Sequence, residues 1–218
     1  MELHNRSVRT DVRELGALLG DVLAAQTSTA AYETVEDLRT AAIAYRQGDA
    51  ESRDALYDAI DDLSGSREGI VARAFTTYFE LINLAEERER VRAVRNAESA
   101  GAIHDSFAET IATFAEEGVE ADELEALLED VLIEPTFTAH PTEARRATVK
   151  AKLRSIANLM EALDEQRLTD RERQARWRDV SAEVTSLWVT RQVRQRRPEP
   201  EDEARNVGWY LENTLFDV

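Results

Sequence analysis

The sequence contains no cysteine, and this absence excludes several kinds of chemistry at once. Without cysteine the chain forms no disulfide bond, no thiolate metal site and no thiol nucleophile. No uninterrupted apolar run approaches the roughly 20 residues of a membrane-spanning helix, and the first residues lack the apolar segment of a signal peptide. We therefore expect a cytoplasmic protein with no membrane partner.

Lysine is nearly absent as well. Lys150 and Lys152 are the only lysines among 27 basic residues, against 44 acidic ones, and the formal net charge is −17. Such acidity opposes binding to nucleic acids, so we expect no nucleic-acid partner. A high-salt cytoplasm or GC-rich coding would each explain the lysine shortage. The excess of acid favours a salt-adapted, halophilic prokaryote as the source.

Proline is rare and confined to the later part of the chain, at Pro135, Pro141, Pro198 and Pro200. Before these prolines, apolar residues recur at spacings of three and four, which predicts one amphipathic helix after another. The longest of them runs from about 70 to 97, and its wide apolar face suggests burial on more than one side. The sequence thus predicts a mainly α fold, with an all-α N-terminal region over 1–132 and a second region over 133–218.

The second region opens on the one credible strand, at about 134–139 in "EPTFTAH". Thr136 and Phe137 favour extended structure, and Pro141 holds His140 out of the α region. A single strand needs neighbours for its backbone groups, so we expect the rest of its sheet to lie in sequence absent from this chain. Three helices should follow, with the second over about 169–196. The third has no stop signal, which also suggests a fragment.

His140 stands just before the predicted start of a helix that carries a basic stripe, Arg146, Lys150 and Arg154, at i, i+4 and i+8. Like charges at this spacing repel, so acidic neighbours or an anionic ligand must offset them. An anion near a helix N-terminus, beside a proton-transferring histidine, would suit catalysis. On the residues alone, a structural turn with acidic neighbours is the favoured interpretation. Both interpretations stay open at this level.

Three separated motifs carry a resemblance to a known family. "FTAHPTEARRATV" resembles the first signature of phosphoenolpyruvate carboxylases, T-A-H-P-T-[EQ] followed by arginines. Upstream, "ARAFTTYFELINLAEERERVRAVR" resembles a family helix with its core at Asn83, Ala85, Glu86 and Glu87. Downstream, "SLWVTRQVRQRRPEPEDEARN" resembles the family's Leu-Trp-x-Thr segment. The order and spacing agree from about residue 10 to the end.

The resemblance implies a magnesium-dependent carboxylation of phosphoenolpyruvate by bicarbonate, which gives oxaloacetate and phosphate and feeds the tricarboxylic acid cycle. It implies an α-rich elaboration of a (β/α)₈ barrel with chemistry at the strands' C-terminal ends. By the same resemblance His140 transfers a proton and stabilises the carboxyphosphate stage. Arg146 binds anions, and Trp188 lines a carbon dioxide pocket. The full-length family member is implied to be an allosteric homotetramer.

Two positions depart from the family pattern, and length is the larger difference. Ala147 replaces the second motif arginine, and Arg191 and Gln192 replace an acidic pair. Family members are several times longer, so the Mg²⁺ ligands are expected beyond this chain, whose residues alone should be inactive. The sequence leaves three alternatives: a non-catalytic helical interaction module, one half of a split enzyme, or a phosphotransfer protein. Pro141 disfavours the last, because a phosphorylated histidine there would need a mid-helix position.

Overall fold

The computed structural model describes residues 6–48, 51–63, 65–104, 106–132, 134, 147–164, 167–191 and 199–212. These residues form nine α-helices and no strand. The helices are α1 Val8–Gln26, α2 Thr29–Arg46, α3 Glu51–Asp61, α4 Ser66–Ser99, α5 Phe107–Glu116, α6 Ala121–Glu129, α7 Ala147–Leu163, α8 Asp170–Val189 and α9 Pro200–Tyr210. The prediction of a mainly α chain is confirmed. Apart from Glu134, the predicted strand lies outside the described residues.

Polar caps at the first turn decide where several helices begin. Ser7 precedes α1 and Ser28 precedes α2, and each hydroxyl accepts a hydrogen bond from a backbone N–H of the first turn. Thr169 and Glu172 form a reciprocal capping box at the start of α8. Such caps satisfy N–H groups that have no partner within the helix. At the other end of α2, Gly48 has a φ of 95°, which suits a glycine just beyond a helix.

One compact unit comprises Met1–Ala93 and Ala147–Arg191. In it α7 packs against α8, and α1 packs against both α2 and α8. The inner face of α7 consists of Val149, Ile156, Met160 and Leu163, each at most 1% exposed, and Leu153 packs against the same core. The unit draws helices from both sides of residue 132. The boundary between an all-α region over 1–132 and a second region over 133–218 remains a prediction.

The other unit comprises Val94–Arg146 and Gln192–Val218. It includes α5, α6 and α9 among its described parts. Neither α5 nor α6 has a buried residue, and Phe107 and Leu132 are 90% and 82% exposed. These helices are amphipathic in sequence, yet their apolar side chains lie largely at the surface of the described chain.

Three expectations from the sequence need correction. The helix predicted to reach residue 196 ends at Val189, because Thr190 is extended and its hydroxyl donates to the Ser186 carbonyl. Phe79 is 58% exposed although the breadth of the apolar face of α4 predicted burial there. The helix α5 was not expected as a separate element. Helical periodicity reports amphipathicity, but which apolar edge is covered depends on the neighbouring elements.

No helix within the described ranges is long and apolar enough to cross a bilayer.

Candidate functional site

Trp188 occupies the inner face of α8, in the last turn of the helix and one residue before its end at Val189. Val180, Val184 and Leu187 share this face and are fully buried, and Trp188 is 4% exposed. The helix runs without interruption from its capping box at Thr169 to Thr190. Since a buried indole on a regular helix has little rotational freedom, the backbone of α8 largely sets the position of Trp188.

Arg73 of α4 covers one face of this indole. Its guanidinium carbon lies 5.5 Å from the centre of the Trp188 ring, within the range of a cation–π interaction. Arg73 is half-buried, and within the described parts of the chain it makes no hydrogen bond or ion pair. The contact joins a predicted site residue to the long helix α4, a link that neither local sequence indicates.

The other two predicted site residues, His140 and Arg146, lie outside the described residues. Their relation to the structure is through the chain: α7 begins at Ala147, directly after Arg146, and packs against α8. Lys152 of α7 forms an ion pair with Glu183 of α8, with the nitrogen and oxygen 3.0 Å apart. Of the three predicted site residues, Trp188 alone lies among the described residues. The structure also describes α7, the helix that immediately follows Arg146 in the sequence.

A buried ion cluster joins α1, α4 and the end of α7. Arg92 of α4 donates to Asp11 at 2.6 Å and to both carboxylate oxygens of Asp164, at 3.0 and 3.1 Å. Arg88 donates to Asp164 at 2.6 Å and to the carbonyl of Ala157 at 3.0 Å. Asp11 is fully buried, and Asp164 is 8% exposed. Arg6 adds a further bond to Asp11 at 2.6 Å.

The electrostatics of this cluster favour its charged state. Burial disfavours the charge on Arg92, but its hydrogen bonds to Asp164 and Asp11 outweigh burial and raise its pKa. Burial likewise opposes ionisation of Asp164, while hydrogen bonds from Arg92 and Arg88 lower its pKa below its ordinary value. Each charge therefore depends on its partners, and removing one would leave the others buried without compensation.

Sequence reasoning missed this cluster, although α4 carried a signal for it. The buried positions Val71, Ala74, Leu81, Leu84 and Ala85 follow helical spacing, and the same spacing continues at Arg88 and Arg92. Arginines that continue an apolar stripe indicate buried charges in need of carboxylates. The identity of their partners could not be predicted, since Asp11 and Asp164 lie 72 to 81 residues away.

The upstream motif divides between the two sides of α4. Ala85 is fully buried, and because it has only a methyl group it allows close packing of the helix. Asn83, Glu86 and Glu87 are exposed. The polar part of the motif therefore plays no part in the core of this chain.

A cleft of about 480 Å³ lies between α1, α2 and α4. Gly16 and Gly20 form part of its floor, and Tyr32, Phe75 and Tyr78 supply aromatic walls. Arg39 and Glu36 at the rim pair with each other at 2.7 Å. The cleft is therefore partly apolar, and its rim carries charges of both signs.

Metal binding finds no support in the described parts of the chain. There, no three His, Asp or Glu side chains are grouped so that they could hold a metal ion. The carboxylates of the ion cluster are already occupied by arginines. These residues do not fit a magnesium site, and the placement of its ligands outside this chain stays a prediction.

The helical architecture agrees with the class of protein that the motifs suggested, a family with much of its structure in helices. The family model for phosphoenolpyruvate carboxylase matches residues 8–218. The chain belongs to the phosphoenolpyruvate carboxylase family.

Curated relatives cover nearly the whole chain. It is 37% identical over 219 residues to the phosphoenolpyruvate carboxylase of Xanthomonas campestris pv. campestris strain 8004, which aligns with 97% of the chain. It is 36% identical over 215 residues to that of Thermus thermophilus, and 37% over 226 residues to that of Roseiflexus castenholzii. In each case the chain spans 24% of the relative's length.

Proposed function

We propose that this chain is the N-terminal part of a phosphoenolpyruvate carboxylase, and that the full-length protein forms oxaloacetate and phosphate from phosphoenolpyruvate and bicarbonate. The observation that carries the proposal is the family match over residues 8–218. Since the chain spans about a quarter of the relatives' length, the activity is assigned to the full-length protein and not to these residues alone.

The proposed fold of the complete protein is a (β/α)₈ barrel elaborated by helices. Residues of about 134–139 would form its first strand, and α7 and α8 would be among the helices that follow. His140 would then close that strand, at the end where barrel enzymes carry their chemistry. The position of α7 directly after Arg146 is compatible with this topology.

Three residues of this chain have proposed roles in the reaction. His140 transfers a proton and stabilises the carboxyphosphate stage, and Arg146 binds an anionic group of the substrates. Trp188 forms an apolar wall beside the carbon dioxide formed during the reaction. The resemblance of Leu187, Trp188 and Thr190 to the Leu-Trp-x-Thr segment of the family supports the last role. Ala147 cannot supply the second cationic contact of the family motif.

The proposed reaction has three stages. Bicarbonate oxygen attacks the phosphorus of phosphoenolpyruvate, which gives carboxyphosphate and the enolate of pyruvate. Carboxyphosphate breaks into carbon dioxide and phosphate, and the enolate carbon then bonds to carbon dioxide to form oxaloacetate. Mg²⁺ would supply charge stabilisation for the anions, with its ligands in the remainder of the protein.

The remaining parts of the proposal concern the setting of the enzyme. We place it in the cytoplasm of a salt-adapted prokaryote, as an allosteric homotetramer that replenishes the tricarboxylic acid cycle. The net charge of −17 supports the salt adaptation, since a strongly acidic surface keeps a protein soluble at high ionic strength.

The substitution His140→Asn in the full-length enzyme tests the proposal. Loss of a general acid–base group lowers rates by about 100- to 10,000-fold, so oxaloacetate formation should fall by at least about 100-fold. Malate dehydrogenase and NADH provide a coupled assay for oxaloacetate. Near-normal activity of the variant would remove His140 from the catalytic role.

His104→Asn is the matched control. The His104 side chain is 86% exposed and, among the described residues, pairs with Glu109, so its loss should leave oxaloacetate formation unchanged. The 218-residue chain, assayed with phosphoenolpyruvate, bicarbonate and Mg²⁺, should show no turnover above background. Turnover by that chain would contradict the assignment of activity to the full-length protein.

A further inference from the structure

We propose that the cleft between α1, α2 and α4 binds a small, flat aromatic molecule that carries one carboxylate, with its ring between the aromatic walls and its carboxylate beside Arg13. The residues that carry this inference belong to the unit of Met1–Ala93 and Ala147–Arg191. The inference is independent of the proposed reaction, because it uses none of the residues that were given a role there.

The cleft has the size and the walls of a small-molecule site. Its volume of about 480 Å³ falls within the roughly 300–1,000 Å³ that is usual for ligand pockets. Tyr32 of α2 and Phe75 and Tyr78 of α4 line it. Each of these rings packs against the core and remains partly exposed. They therefore offer aromatic surface that is held in place by the core, and such surface suits a flat ring.

The floor of the cleft is open because α1 has glycine where a helix would ordinarily carry a side chain. Gly16 and Gly20 are four residues apart and so lie on one face of the helix. Glycine weakens a helix interior, and close packing is a common structural reason for it. That reason fits Gly16, where an added Cβ would lie 3.4 Å from the Tyr78 ring. It does not fit Gly20, where an added Cβ meets no atom within 4 Å. The space beside Gly20 is part of the cleft.

The charges at the rim give the ligand its polarity. Arg39 is already paired with Glu36 at 2.7 Å. Arg13 is exposed and makes no hydrogen bond or ion pair with another described residue. Asp21 lies eight residues further along α1, about 12 Å along the helix axis, so its repulsion acts at the other end of the cleft. A carboxylate is therefore favoured beside Arg13, since guanidinium and carboxylate form charge-assisted hydrogen bonds.

Binding of 2-naphthoate to the full-length enzyme tests the inference, because this probe has a flat aromatic ring system and one carboxylate. Isothermal titration calorimetry measures its Kd. The uncharged 2-naphthamide has the same rings, and it should bind about twofold to fivefold more weakly, as expected for loss of an ion pair that water partly screens. Equal affinities of the two probes would overturn the assignment of an anionic ligand.

Gly20→Leu is the variant that fills the cleft. The fold should be retained, because leucine favours a helix and its Cβ meets no neighbouring atom. Affinity for 2-naphthoate should fall at least about tenfold, since the new side chain occupies space that the rings need. Gly69→Leu in α4 is the matched control, because Gly69 is equally open but is not among the lining residues, and it should leave the affinity unchanged. Unchanged affinity in Gly20→Leu would overturn the proposed site.

Arg13→Gln tests the charge separately, and it carries the test should Gly20→Leu not fold, since Arg13 is exposed. It should remove the preference for 2-naphthoate over 2-naphthamide. Arg9→Gln is its control, one turn earlier in α1 and outside the cleft, and it should keep the preference. A preference that persists in Arg13→Gln would overturn the inference. Failure of both probes to bind an enzyme that still forms oxaloacetate would also overturn it, and would leave the proposed function unaffected.

Discussion

The two compact units of this chain differ in how they use similar amphipathic helices. In the unit of Met1–Ala93 and Ala147–Arg191, apolar faces meet in one core that includes Leu15, Leu81 and Ile156, each at most 1% exposed. In the other unit, α5 and α6 have no buried residue. An amphipathic sequence thus specifies which side of a helix is apolar. Whether that side is buried depends on whether another element packs against it.

Charged groups show the same contrast. Arg92 and Asp164 lie in the core of the first unit, where each has several partners. Arg205 and Asp202 in α9 of the second unit form a single pair at 3.4 Å, with the Arg205 side chain 77% exposed. Water screens an exposed pair, whereas buried charges depend on one another. The first unit therefore has a charged core as well as an apolar one.

The largest effect should come from a matched pair of isoleucine truncations. Ile156→Ala, at a fully buried site in α7, should lower stability by about 2 to 5 kcal/mol because it leaves a cavity. Ile111→Ala in α5, where the side chain is 52% exposed, should change it by no more than about 0.5 kcal/mol. Hydrogen–deuterium exchange of peptides from each helix measures both effects. Equal losses would mean that the α5 face is covered in the full-length protein.

Asp164→Asn should have the next largest effect. It should lower the free energy of unfolding by about 3 kcal/mol near pH 7, because it leaves the charges of Arg88 and Arg92 without full compensation. The native pKa of Asp164 is lowered, so its carboxylate stabilises the fold above its ordinary pKa near 4. This contribution is lost as pH falls through the lowered native value. The difference between the parent and the variant should be constant above about pH 5 and shrink below about pH 4.

Asp202→Asn is the control for that measurement. Asp202 caps α9 and pairs with an exposed arginine, and asparagine keeps an oxygen for the cap. The substitution Asp202→Asn should change the free energy of unfolding by no more than about 1 kcal/mol. Urea unfolding of both variants across pH 3 to 8 makes the comparison. A pH-independent loss in Asp164→Asn would show that its charge contributes nothing to the cluster.

The smallest effect concerns the cleft between α1, α2 and α4 in the first unit. A Cβ added at Gly20 meets no atom within 4 Å, so Gly20→Ala should stabilise α1 by up to about 1 kcal/mol. At Gly16 the added carbon would lie 3.4 Å from the Tyr78 ring, so Gly16→Ala should gain less. Thermal unfolding of the two variants compares them. Equal increases in stability would show that the Tyr78 ring moves away from the added methyl group without a loss of stability.

Much of the fold could be predicted because helices are local. Apolar spacings of three and four predicted one amphipathic helix after another, and serine and threonine side chains cap α1 and α8 in the structure. The strand and His140 were predicted from local residues too, and they stay predictions. The end of α8 was wrong by several residues, because Thr190 adopts an extended backbone that a continuing helical pattern did not reveal.

The candidate site was predictable only in part. The motifs named His140, Arg146 and Trp188, since a family signature is a local string. The contact of Arg73 with Trp188 could not be predicted, because the two residues are 115 positions apart and no local pattern specifies it. The cleft beside Gly16 and Gly20 was equally hidden, since three helices must come together to form it.

The sequence by itself determined the helical character of the chain, the faces of its helices and its membership of a carboxylase family. These properties rest on periodicity, capping and short motifs, each of which involves residues close together in the chain. Only the tertiary structure decided that Arg92 meets Asp11 and Asp164, and that Arg73 covers Trp188. Such contacts depend on how separate helices pack, and packing is set by the whole core and not by any local segment.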